Sequence, residues 1–260
     1  MNQETMTKTV KRYGNSGGVY LPSSWVGGTV EISLLSRPPM PEQDLPLAFA
    51  GRMQHIISML LYGSYARGEF EEGSDIDVIV VTDSHQKGMA VPAGLKEKGY
   101  DITIMPAERL IKAAGKDALL SKSLEDAKAL FNDSFLIEIK SIKPARSLSE
   151  RIELSKSSVE IMKSLLAAGS DASSIIYPLM MRTKEMLLID CILNNRKYSL
   201  RLVKERIQRL GIPESEYRKL MSAYRAARDG KRSKPSIKED TIRTLLGFLE
   251  EMISHYGKKA

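Results

Sequence analysis

The stretch that decides the reading is Leu61–Val81, LYGSYARGEFEEGSDIDVIVV. A Gly-Ser turn directly follows one apolar run, and two aspartates one residue apart open the next. Core packing requires neither feature. The run Ile56–Tyr62, interrupted only by Ser58, and the run Ile76–Val81 are rich in branched aliphatics and read as strands. Asp75 and Asp77 stand at i and i+2, a spacing that sends both side chains out of one face of a strand. Two carboxylates held that close repel unless a cation lies between them. Hard oxygen donors suit Mg²⁺ or Mn²⁺, whereas Zn²⁺ prefers nitrogen and sulfur ligands, which are scarce here. A third carboxylate is expected on a neighbouring strand. Asp101, at the head of the alternating segment Tyr100–Met105, is the candidate, because Asp83 follows the end of the second strand. Gly63 allows close backbone approach and Ser64 offers a hydroxyl. The turn then leads into a helical segment, Tyr65–Phe70, whose free N–H groups favour phosphate. Together these residues predict a place for a nucleoside triphosphate with its metals.

The phrase Gly63-Ser64-Tyr65-Ala66-Arg67-Gly68, followed by Ser74-Asp75-Ile76-Asp77, resembles the signature of the polymerase-beta-type nucleotidyltransferase superfamily. The similarity is closest to its minimal and kanamycin-nucleotidyltransferase-like members and covers roughly residues 45–140. The resemblance implies a mixed-sheet α+β catalytic core with Asp75, Asp77 and Asp101 as catalytic residues and ligands of two Mg²⁺ or Mn²⁺ ions. It also implies Gly63, Ser64, Arg67 and Ser74 as nucleotide-binding residues. The implied reaction moves a nucleoside monophosphate, with AMP from ATP as the expected group, to an acceptor hydroxyl and releases pyrophosphate. For Arg67 two roles are open, a contact to phosphate or a pairing with a nearby carboxylate.

Outward from this centre the chain reads in three parts: residues 1–40, 41–145 and 146–260. The first has short β-prone runs, Thr7–Tyr13, Gly17–Leu21 and Thr29–Leu34, separated by Gly- and Asn-rich turns. Its phrase Val10–Pro22, VKRYGNSGGVYLP, resembles the swapped-hairpin DNA-binding modules of the AbrB/MazE type, which are built from two interlocked chains. That implies a homodimer, with Lys8, Lys11 and Arg12 as candidate DNA-phosphate contacts within residues 8–22. Docking onto the catalytic part is the other role open to this module. The Pro-rich Arg37–Pro41, with Pro46 beyond, reads as a linker. Leu47–Gln54 reads as a short helix, and Gln86–Lys98 as another, weakened by Pro92 and Gly94.

From residue 149 onward the period changes. Apolar residues recur at helical spacing, and turns at Gly169-Ser170, Asn194-Asn195, Gly211–Pro213 and Asp229-Gly230 divide four or five helices of a bundle. The pattern is similar to the helical substrate-binding domains that follow the catalytic domain in this superfamily, and to HEPN bundles, which implies an acceptor site. His255 lies twelve residues after Arg243, a spacing unlike that of a HEPN nuclease. Tyr177, Tyr198, Tyr217 and Tyr224 are either stacking surfaces for a base or core residues.

Charge follows the same division. Residues 1–40 carry 4 basic and 2 acidic side chains, 41–145 carry 12 and 16, and 146–260 carry 23 and 14. The net +7 is therefore concentrated in the helical part, with Arg218, Lys219, Arg225, Arg228, Lys231, Arg232 and Lys234 in one run. Such asymmetry fits either an anionic substrate lying across the two parts or a solvated helix surface. No apolar run approaches the roughly 20 residues of a membrane span, so no membrane partner is expected. A charged N-terminus and a single cysteine, Cys191, predict the reducing cytoplasm. The acceptor is left open among a small molecule, a protein side chain and an RNA end. The competing expectation is a DNA-binding regulator or antitoxin-like protein that uses the nucleotide pocket as a sensor.

Overall fold

The computed structural model describes residues 5–35, 37–70, 74–83, 89–144, 148–230 and 237–258, and the side chains of residues 172 and 173 are not described. By contacts the chain divides into two compact units, Met1–Pro38 and Pro39–Ala260.

The first unit is a hairpin of β1 (Lys11–Tyr13) and β2 (Ser16–Gly18), paired antiparallel with Tyr13 opposite Ser16. Gly14, with φ +58°, occupies the first turn position, where a two-residue hairpin connection favours glycine. Both strands are shorter than expected, because this tight turn starts pairing at Ser16 and the ladder ends at Gly18. Tyr13 and Tyr20 meet edge to face at 5.5 Å. The expected third strand, Thr29–Leu34, does not form: Val30, Ile32 and Leu34 alternate in sequence but remain exposed and without a ladder. None of the described residues from 5 to 38 is buried.

The second unit begins with a helix where a linker and then a later helix were expected. Helix α1 (Pro41–Ala48) starts at Pro41, a proline suited to the first helical position, and tolerates Pro46 within its eight residues. Asp44 secures it. Its buried carboxylate accepts from Met40 N at 2.9 Å, Tyr100 Oη at 2.8 Å and Lys98 Nζ at 3.1 Å. Chiefly the Met40 amide, with Tyr100 and Lys98, holds the carboxyl down at about 2 against the cost of burial. A 3-10 turn at Ala50–His55 leads into the sheet.

The sheet has four strands in the order β5-β4-β3-β6: β3 (Ile56–Leu61), β4 (Ile76–Thr82), β5 (Tyr100–Pro106) and β6 (Lys128–Phe131). β4 and β5 are parallel, and the other neighbours are antiparallel, so the sheet is mixed. Strand alternation divides its side chains. Met59, Leu61, Ile76, Val78 and Val80 pack with Leu45 and Phe49 on one face. Leu60, Ile79 and Val81 pack on the other against helices α3 (Ala107–Lys116), α4 (Ala118–Leu124) and α5 (Asp133–Ser141). Among the described residues between β3 and β4 lies the one-turn helix α2 (Gly63–Arg67), closed by Gly68 at φ +70°. The helix expected over Gln86–Lys98 reduces, within the described residues, to a 3-10 turn at Lys96–Lys98, while residues 86–88 lie outside them.

Five long helices complete the unit: α6 (Ser149–Ala167), α7 (Ala172–Leu193), α8 (Leu200–Arg209), α9 (Glu214–Arg228) and α10 (Glu239–Gly257). Their turns fall at the four expected positions, and their apolar faces form one cluster that also takes in Ala118 of α4. The buried Asp190 of α7 ties this bundle together through Arg196, Asn194 and Tyr256. The chain is thus a mixed α/β fold with a small two-stranded sheet, a four-stranded mixed sheet and a C-terminal set of helices.

Candidate active site

The two central strands run in opposite directions, so the end of β3 adjoins the start of β4, and the chemistry predicted from the sequence gathers at that end of the sheet. Tyr62 N donates to Asp77 O at 3.0 Å and fixes the turn against the strand. Gly63 has φ +71°, and a Cβ built on it would stand 2.2 Å from Asp77 Oδ2. Glycine is therefore required here for two reasons: a left-handed backbone and the space taken by a carboxylate.

β4 and β5 are in parallel register with Asp77 directly beside Asp101. In adjacent strands such partners project from the same face. Asp77 also shares its face with Ile79 and Val81, so it sits at the open margin of a covered layer. Asp75 lies just before β4, half-buried, as is Asp77, whereas Asp101 is exposed. The electrostatics record the crowding. Burial, then the charges of Asp101 and Asp75, push the Asp77 carboxyl up to about 6, although Arg67 and Arg228 oppose the shift. The Asp75 carboxyl is also raised, first by burial. The Tyr62 hydroxyl is pushed up to about 12 by burial and by Asp77 and Asp101. Ser64 and Ser74 are both half-buried, on the turn and just ahead of Asp75 respectively. The helix after the turn is a single turn of five residues, so it adds no sizeable dipole to the backbone amides themselves.

Arg67 pairs with a nearby carboxylate. Its Nε donates to Glu69 Oε2 at 2.8 Å, and its guanidinium lies 5.6 Å from the centroid of the Tyr198 ring. The same Glu69 oxygen accepts from Leu200 N, at the first residue of α8, at 3.0 Å. The motif's arginine thus joins the sheet to the bundle.

The bundle brings in a further residue, singled out from the sequence only as one of a basic run. Arg228, in the last turn of α9, places Nη1 2.8 Å from Asp75 Oδ2. Of the rest of that run, Arg218 pairs with Glu214 and Lys219 with Glu216, while Lys231, Arg232 and Lys234 lie outside the described residues. One turn before Arg228, Tyr224 stacks on Tyr177 at 5.6 Å with Lys184 Nζ 4.0 Å from its ring centroid. Tyr217 and Tyr198 pack with the bundle core.

Among the described residues no three His, Cys, Asp or Glu side chains stand close enough to cage a metal ion. Mg²⁺ commonly takes one or two protein carboxylates and completes its shell with water and phosphate oxygens. Asp75, Asp77 and Asp101 offer oxygen donors only, the kind that suits Mg²⁺ or Mn²⁺ when one or two carboxylates bind and water and phosphate complete the shell. They do not fit a dedicated Zn²⁺ site.

Residues 48–165 match the family model of the nucleotidyltransferase domain. The match supports, for that part of the chain, the superfamily recognised in Gly63–Asp77, and with it nucleotidyl transfer as the general activity. The chain is also similar to a nucleotidyltransferase-like protein from Exiguobacterium sibiricum 255-15, solved by crystallography. That similarity has 12% identity and a TM-score of 0.35, over 84% of this chain and 77% of the other. Likeness at that level carries no further statement about the site. No curated protein matches the sequence. No helix among the described residues is long and apolar enough to cross a membrane.

Proposed function

We propose that this protein is a metal-dependent nucleotidyltransferase that moves a nucleoside monophosphate, AMP from ATP in the first instance, to an acceptor hydroxyl. The observation that carries the reading is the parallel register of Asp77 with Asp101, beside Asp75 and under the Gly63 backbone. Within Pro39–Ala260 we assign catalysis to residues 41–145 and acceptor binding to the helices of 146–260.

In this reading carboxylates among Asp75, Asp77 and Asp101 would hold Mg²⁺ or Mn²⁺, which would supply the charge that acidifies an attacking hydroxyl and stabilises a departing pyrophosphate. Gly63 brings backbone amides up to the triphosphate because it has no side chain to intervene. Ser64 and Ser74 flank the same edge and offer hydroxyls to phosphate oxygens. Asp101, the most exposed of the three carboxylates, takes the proton of the acceptor hydroxyl. The acceptor oxygen then bonds to the α-phosphorus, the bond to the β-phosphate oxygen breaks, and pyrophosphate leaves with that electron pair. Arg67 holds the bundle in place through Glu69 and orients the edge from behind.

For Met1–Pro38 we propose self-association. Its exposed Val26, Ile32, Leu34 and Leu35 are more apolar surface than so short a hairpin can leave in water, and a second copy would cover it in a homodimer. No observation in the described residues favours the DNA-binding regulator over the enzyme.

The test is label transfer and pyrophosphate release from each of four α-labelled NTPs, with Mg²⁺ and a cell extract as the source of acceptor. Transfer by the native protein, abolished in Asp75→Asn/Asp77→Asn, is the expected result, and the labelled product names the acceptor class. Nucleotide binding with no transfer to any fraction would sink the enzyme in favour of a sensor.

A further inference from the structure

Arg228 sits on a carboxylate that the proposed reaction needs for metal, and this contact has a chemical consequence. An arginine bonded to Asp75 and a metal ion bonded to Asp75 compete for the same oxygens. The ion pair is built to part. Its two side chains keep about a quarter and over a third of their exposure, so separating them leaves neither charge stranded in an apolar interior. The guanidinium also has a second anchor: Asp229 Oδ1 accepts from Arg228 Nε at 3.0 Å and stands 3.0 Å from Nη2. A guanidinium released from Asp75 would stay aimed at the edge of the site by Asp229. One turn earlier on the same helix, Tyr224 stacks on Tyr177 with Lys184 over its ring.

We propose that Arg228 is an exchangeable phosphate ligand. It neutralises Asp75 while the site lacks substrate, and it passes from Asp75 to the triphosphate when nucleotide and metal arrive. The inference rests on the nucleotidyltransferase reading and adds to it the role of a residue 151 positions downstream of the motif's last aspartate. Arginine suits the part because its planar fork engages carboxylate and phosphate oxygens with the same geometry. The exchange also keeps the carboxylates partly neutralised in both states. With Arg228 seated, three neighbouring carboxylates are partly balanced, and with a dication seated, the guanidinium can turn toward the incoming phosphates.

The proposal predicts opposite signs for two binding constants, which a purely structural ion pair does not. In Arg228→Gln, Mn²⁺ alone, titrated calorimetrically, should bind about two- to fivefold more tightly, the range of an exposed ion pair removed from competition. ATP titrated in the presence of saturating Mn²⁺ should bind about tenfold more weakly, the loss of charge-assisted bonds to phosphate. Arg228→Lys, which keeps the charge and loses the fork, should restore the native Mn²⁺ affinity and only part of the ATP affinity. Unchanged or weaker Mn²⁺ binding in folded Arg228→Gln, or unchanged ATP binding, overturns the assignment. Should Arg228→Gln fail to fold, Arg228→Lys with native affinity for both ligands overturns it equally. Native protein that binds neither Mn²⁺ nor ATP would instead remove the nucleotidyltransferase reading itself.

Discussion

At Gly63 a single missing methyl group holds the site together. The left-handed backbone there would cost an alanine about 1–2 kcal/mol, and its Cβ would in addition collide with the carboxylate of Asp77 at 2.2 Å. Gly63→Ala should therefore lower the melting temperature by several degrees, and it should reduce nucleotidyl transfer far more than that loss of stability explains. Turnover measured well below the unfolding transition checks the second part. Asp44 is the counter-example, a buried carboxylate with a structural task. Its folded pKa of about 2 lies below the ordinary 3.8, so its contribution is fully present above about pH 4 and is lost as pH falls toward 2. Asp44→Asn should cost about 1–2 kcal/mol at pH 7, and the difference from native should shrink steadily below pH 4. Urea unfolding at a series of pH values measures it. The sequence reads Gly63 as a place of close backbone approach to a ligand; the structure adds a close neighbour of the protein's own, the Asp77 carboxylate.

The joint between sheet and bundle belongs to the scale of elements. Glu69 bonds both Arg67 of the α2 turn and the first amide of α8, and Arg67 is only 10% exposed. Removing the carboxylate strands a largely buried guanidinium, so Glu69→Ala should destabilise by about 2–4 kcal/mol. The Arg67→Ala/Glu69→Ala double variant should cost less than the sum of the singles, because the stranded charge is gone; a double-mutant cycle in urea reads this coupling. Elements with a strong local period were legible in advance: β3, β4, β5 and the helices of the bundle with their turns. The errors fell where local preference and tertiary setting disagree. Val30, Ile32 and Leu34 alternate like a strand, but a strand needs a neighbour to bond. Pro46 reads as a helix breaker, yet α1 is short and is held at its start by Asp44 and at its end by Phe49 packed in the core. β6 has only four residues, too few for a pattern, and exists because it completes the free edge of β3.

For the whole molecule, the division at Pro38/Pro39 predicts separable parts. A chain of residues 39–260 carries all three cores and should fold with a melting temperature within a few degrees of the full chain. It should retain nucleotidyl transfer. Light scattering coupled to gel filtration should find the full chain as a dimer and the shortened chain as a monomer. A full-length monomer would remove the self-association proposed for the hairpin unit, and would leave the catalytic reading intact.

The residue types at the site, the turn that presents them and the strand that carries Asp77, with Asp75 just ahead of it, were all determined by a contiguous phrase, because strand period and turn chemistry act over a few residues. The tertiary structure decided which remote groups complete it. Asp101 stands beside Asp77 because β4 and β5 pair in parallel, Glu69 meets Leu200 because α8 packs on the motif, and Arg228 reaches Asp75 because α9 ends at the sheet's edge. Apolar periodicity tells a segment which face to bury. It carries no information about which charged side chain, from which of several amphipathic helices, comes to rest against a given carboxylate. That outcome depends on packing all the apolar faces together at once.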